Sequence, residues 1–76
     1  MRITLNGDAH ELAESLTVAA LLAQLDIDPR RVAVEHNLTV LKRDRFETTI
    51  VREGDAVEIV NFVGGGSDGS GLMAKG

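Results

Sequence analysis

Polar and apolar residues follow two different periods along this chain, and the switch between them marks out its elements. Met1, Ile3 and Leu5 alternate with Arg2, Thr4 and Asn6, the two-residue period of a strand with one buried face. Asn6-Gly7-Asp8 is a tight-turn signal, and it predicts a second strand over Ala9 to Leu12, antiparallel to the first. The period then lengthens. Val18, Leu21, Leu22 and Leu25 stand at i, i+3, i+4 and i+7, one apolar stripe of a helix. Thr17 is its predicted N-cap, since a hydroxyl there accepts from an unpaired N–H of the first turn. Ala19, Ala20, Ala23 and Gln24 fill the other faces with good helix formers. Asp26-Ile27-Asp28-Pro29 is predicted to end the helix, because proline disfavours a helical residue before it.

Strand character returns at Arg31 to His36, with β-branched residues at 32 and 34. Asn37 starts a turn and Leu38 to Leu41 continues as a short strand. Lys42 to Phe46 reads as a single helical turn that lays Phe46 on the core, and Thr48 to Val51 as another short strand. Glu53-Gly54-Asp55 is a turn, and Ala56 to Phe62 is the last strand. A hairpin, one helix and further strands in this order predict an α+β chain of the β-grasp (ubiquitin-like) type. Its mixed sheet would have four to five strands, with one main helix packed across it. In the last strand Val57, Ile59, Asn61 and Val63 point one way, and Ala56, Glu58, Val60 and Phe62 the other. Val57 and Ile59 are expected to face the helix stripe. That leaves Val60 and Phe62 on the open face of the sheet. With Val63 at the root of the glycines, they are the candidate partner-docking residues.

Composition narrows the function. Seventy-six residues leave room for one small core and none for a deep enclosed active site, so the chain is not expected to be an enzyme. There is no Cys, hence no thiol nucleophile and no cysteine zinc site. The net charge of -4 and the two Phe, with no Trp or Tyr, disfavour a nucleic-acid partner. No segment approaches membrane-spanning length and the N-terminus lacks a signal-peptide pattern, so no membrane partner is expected and a cytoplasmic location is the default. His10 and His36 read as isolated, with no second ligand at metal spacing. Glu11 and Glu14 read as solvated surface. No phosphate-binding loop is present, so ATP is not expected to be bound by this chain.

Six of the eight glycines lie in the last 13 residues, which divides the chain into a folded domain, 1–63, and a glycine-rich tail, 64–76, expected to be flexible. Taken alone, Gly64-Gly65-Gly66 is a linker pattern. Were Gly66 the last residue, its group would be an unhindered carboxylate on a stalk that threads a narrow channel.

The run Asp55-Ala56-Val57-Glu58-Ile59-Val60-Asn61-Phe62-Val63-Gly64-Gly65-Gly66 resembles the C-terminus of the ThiS-type sulfur carriers of thiazole (thiamine) biosynthesis. The resemblance extends over residues 1–66, including the Asn-Gly turn, the Thr-capped helix and Val32-Ala33-Val34-Glu35-His36-Asn37. It implies that Gly66 is the acceptor, with Gly64 and Gly65 as its stalk. An adenylating, ThiF-type enzyme would activate the Gly66 carboxylate with ATP, sulfur would replace the adenylate, and a ThiG-type thiazole synthase would take that sulfur. The carrier would bind no cofactor itself and would act by positioning. Ser67 to Gly76 departs from the family pattern, in which chains end at the glycines. Three readings stand: a segment removed by a peptidase, an artificial extension, or a relative that no longer carries sulfur. Other functions for such a chain are a molybdopterin-type sulfur carrier, a ubiquitin-like protein modifier, or a β-grasp interaction module without C-terminal chemistry.

Overall fold

A computed structural model describes residues 1–62. Strand β1 (Arg2–Leu5) turns at Asn6 and Gly7, both with positive φ, into β2 (Asp8–Glu11). Leu5 faces Asp8 across this two-residue turn, whose twist matches that of the strands. A short strand, β3 (Leu16–Thr17), leads directly into helix α1 (Val18–Gln24). The Thr17 hydroxyl accepts from the Ala20 N–H at 3.0 Å. The next two free donors of the helix start, the N–H groups of Val18 and Ala19, reach the carbonyls of Thr49 and Phe46, each at 2.9 Å.

The helix ends before its proline can act. Asp26 takes a left-handed φ of 61°, and the N–H groups of Ile27 and Asp26 return to the carbonyls of Leu22 and Ala23. This is the Schellman closure, with Asp standing where glycine is usual. Ile27 then folds back onto the core. Pro29 begins a separate 3₁₀ turn, Pro29–Arg31, capped by the Asp28 carboxylate on the Arg30 N–H at 2.9 Å.

Strands β4 (Val32–His36) and β5 (Thr39–Leu41) form a second hairpin through Asn37 and Leu38, with φ of 52° and 72°. A 3₁₀ turn, Arg43–Arg45, delivers Phe46 to the core as expected. Of the strand anticipated over Thr48 to Val51, only β6 (Ile50–Val51) forms. Thr48 and Thr49 instead donate their N–H groups to the Arg45 carbonyl, prolonging the preceding turn. β6 pairs with β3 as a separate two-stranded sheet, while β7 (Ala56–Asn61) enters the main sheet.

The main sheet has the order β2-β1-β7-β4-β5. β7 lies parallel to β1 and antiparallel to β4, so the sheet is mixed. With α1 across one face this is the β-grasp fold. Its core is Ile3, Leu12, Val18, Leu21, Leu22, Val32, Val34, Phe46, Val51 and Val57, and no polar side chain among the described residues is buried there. The helix stripe and one alternate set from each central strand thus meet, and burial of these side chains drives the fold.

Candidate functional site

The site to be tested is the end of β7, where the described chain approaches the glycines. Alternation holds along the strand. Val57 is buried and Ile59 packs against the core, whereas Val60 and Phe62 are 47% and 43% exposed. Val60 and Phe62 therefore stand on the open face. Val60 faces Ala33 across the β4 ladder. The expected docking residue Val63, the stalk residues Gly64 and Gly65, and the acceptor Gly66 lie outside the described residues, as does the tail.

The exit of β7 is held from two sides. Toward β4 the ladder continues past the strand's last residue, with the Phe62 N–H donating to the Arg31 carbonyl at 2.9 Å. Toward β1 the pairing stops at Leu5 and Val57. There Asn6 extends it in two steps: its N–H donates to the Val57 carbonyl, and its side-chain oxygen accepts from the Ile59 N–H at 2.7 Å. The left-handed conformation of Asn6, which its short amide tolerates, makes this turn residue also a clamp on the last strand. A shallow depression of about 350 Å³ lies beside it, lined by Leu5, Asn6, Leu25, Ile27, Ile59 and Asn61.

The opposite end of β7 is fixed by a polar cluster. His36 is not isolated: its Nε2 lies 2.8 Å from an Asp55 carboxylate oxygen. The same carboxylate accepts from the Arg52 N–H and the Asn37 amide, and the Asn37 side-chain oxygen accepts from the Ala56 N–H. Burial pushes the Asp55 carboxyl up, but the bonds from Arg52, His36 and Asn37 outweigh it and hold the group below its ordinary value. His36 and Asp55 stand 19 residues apart, so no local spacing announces the contact. Asn37 was visible as a turn residue, but its reach to β7 was not.

Among the described residues no group of three or more His, Cys, Asp or Glu could hold a metal ion, and no helix is long and apolar enough to cross a membrane. The His36–Asp55 pair stands at the start of β7, at the far end of the strand from Phe62. The exit end offers a strand hydrogen-bonded on both sides and a partly apolar face.

The sequence model of the ThiS family matches residues 3–66, a span that runs through all three glycines. The chain belongs to the ThiS family. It is 34% identical over 65 residues to the sulfur carrier protein ThiS of Bacillus subtilis, covering 84% of this chain and 98% of that one. A crystal structure of the thiamine biosynthesis protein ThiS from Geobacter metallireducens superposes with a TM-score of 0.77 at 45% identity, covering 87% of this chain and all of that chain. The chain is also 44% identical over 68 residues to a thiazole synthase of Paramagnetospirillum magneticum. That match takes in 90% of this chain but only 21% of the synthase. The chain spans about a fifth of the length of the first curated relatives it matches. As a ThiS-family member it has the family's β-grasp fold, with β7 leading to the glycine run.

Proposed function

We propose that this ThiS-family chain is a sulfur carrier of thiamine biosynthesis rather than an enzyme, and that Gly66 is its acceptor. A Gly66 carboxylate oxygen would attack the α-phosphate of ATP, releasing pyrophosphate and forming an acyl-adenylate. A sulfur nucleophile would then displace AMP at the carbonyl carbon, leaving a thiocarboxylate from which a thiazole synthase draws sulfur. ATP would be held by the adenylating, ThiF-type partner. Gly64 and Gly65 would thread the activating site, and the open face around Val60 and Phe62 would dock on the enzyme.

The observation that carries this reading is the family match through Gly66, joined to a strand whose ladder holds to Phe62. A fixed strand exit followed by side-chain-free residues delivers one terminal atom at a set reach, so the carrier's contribution is positioning. The chemistry requires Gly66 to end the chain, so whatever follows Gly66 must be cleaved off or absent. ATP–pyrophosphate exchange by the adenylating enzyme tests this. The chain ending at Gly66 should support exchange and the chain ending at Gly76 should not. Exchange of equal rate with both would take the acceptor role from Gly66.

A further inference from the structure

Ile59 is the point at which the hold on β7 ends. It is the last side chain of the strand that packs against the core. Beyond it Val60 and Phe62 are exposed, and Asn61 lines the open depression beside Asn6. Among the described residues, Ile59 is also the last of β7 bonded toward the β1 side.

That last bond is made by a side chain. Backbone pairing of β1 with β7 stops at Leu5 and Val57, because the chain turns away through Asn6 and Gly7, with φ of 49° and 85°. The Asn6 N–H still reaches the Val57 carbonyl at 2.9 Å, and the Asn6 side-chain oxygen then accepts from the Ile59 N–H at 2.7 Å. Past Ile59 the strand is held only toward β4, as far as the Phe62 N–H on the Arg31 carbonyl. Without the Asn6 side chain, the stretch held from one side would begin at Glu58 instead of Val60.

The turn does not by itself require this side chain. It needs residues that tolerate a left-handed conformation, and Gly or Asp meets that need as well as Asn. Nor does stability demand it. The bond is exposed to solvent, where water replaces a lost partner, so it adds little to the free energy of folding. What the oxygen supplies is direction: it fixes the line along which β7 leaves the fold toward the glycines.

We propose that Asn6 is a positioning residue for the chemistry at Gly66, its side-chain oxygen fixing the exit of β7 through the Ile59 N–H. This rests on the reading of Gly66 as the acceptor and deepens it. Gly64 and Gly65 carry no side chains to guide the segment, so the set of its root decides where the terminal carboxylate arrives. A root free to swing lowers the fraction of bound chains whose carboxylate stands in line with the α-phosphate. The surface that binds the enzyme is unaltered. The signature is therefore a lower kcat at an unchanged KM for the carrier.

The test uses chains ending at Gly66, which keep every element of the fold: wild type, N6G, N6D and D55N. N6G keeps the left-handed turn and removes the oxygen. N6D keeps both the turn and the acceptor. D55N weakens the far end of the same strand and is the control for lost stability. ATP–pyrophosphate exchange by the adenylating enzyme is measured against carrier concentration, together with amide hydrogen exchange of each free chain. N6G should lower kcat about ten-fold with KM changed less than about two-fold. It should also speed hydrogen exchange at the Ile59 amide and leave the Phe62 amide protected. N6D should restore both kcat and Ile59 protection, and D55N should keep the wild-type kcat. The positioning role is overturned, with the acceptor reading intact, if N6G keeps the wild-type kcat, or if N6D or D55N loses as much as N6G. No exchange with the wild-type chain ending at Gly66 would end the acceptor reading and the positioning role with it.

Discussion

The two faces of β7 share one backbone and treat apolar side chains in opposite ways. On the helix side Val57 is fully covered and Ile59 packs against the core, joined by Val32 and Val34 from β4. On the open side Val60 and Phe62 stay exposed, and Glu35 and Glu58 lie opposite each other with no ion pair among the described residues. Selection for stability alone would place polar, oppositely charged residues on the second face. One face supplies the cohesion of the fold, and the other is the face that the proposed function would use to dock on enzymes. Because successive residues alternate, a substitution in this strand tests one task with little effect on the other.

Val57→Ala on the covered face should show the largest effect on stability, a loss of about 2–3 kcal/mol from removed methyl groups and the cavity they leave. Denaturant unfolding measures it. Phe62→Ala should give the reverse pattern, less than about 1 kcal/mol of lost stability but a drop of about ten-fold in affinity for the adenylating enzyme. If the two variants show similar losses in both assays, the division of the strand into two faces is wrong.

The polar cluster at the start of β7 gives a smaller effect with a pH signature. Asp55→Asn should cost about 1–2 kcal/mol at neutral pH by weakening the bonds from Arg52, His36 and Asn37. The Asp55 pKa is held below its ordinary value, so its stabilisation is complete above the unfolded pKa of about 4 and is lost as pH falls through the lowered folded value. Melts of the two proteins should therefore differ near neutrality and converge in acid. A gap that persists unchanged into strong acid would show that the charge of Asp55 contributes nothing.

The smallest effect belongs to the second hairpin. Leu38 is 88% exposed with a φ of 72°, a conformation costly for a residue with a Cβ. Leu38→Gly should raise stability by about 0.5 kcal/mol, the relief of that strain less the extra freedom of the unfolded chain. A clear loss of stability would mean that the Leu38 side chain contributes to the fold despite its exposure.

Much of this architecture is legible in local patterns. The Asn6-Gly7 turn, the Thr17 cap, the helix stripe and the alternation of β7 each depend on neighbours a few residues away, and each forms where the pattern puts it. The departures come from contacts over longer range. Helix α1 ends where the run from Asp26 is expected to stop it, but the device is a left-handed Asp26 that turns Ile27 inward to the core, and not the proline. β6 abandons the main sheet for Leu16 and Thr17, which no periodicity in two-residue strands can announce. His36 gains its Asp55 partner only when β4 and β7 are brought together. At the site, the exposure of Val60 and Phe62 was legible from alternation. The clamp of Asn6 on Ile59 was not, because it joins residues 53 positions apart. The Glu35–Glu58 pairing likewise exists only in the register of the folded sheet.

The central claim is that Gly66 becomes a terminal carboxylate that carries sulfur, and the intact mass of the protein isolated from its native host tests it most directly. With thiamine synthesis active, the account predicts a species ending at Gly66, part of it heavier by the exchange of one oxygen for sulfur. A single unmodified species still extending past Gly66 under those conditions would contradict it.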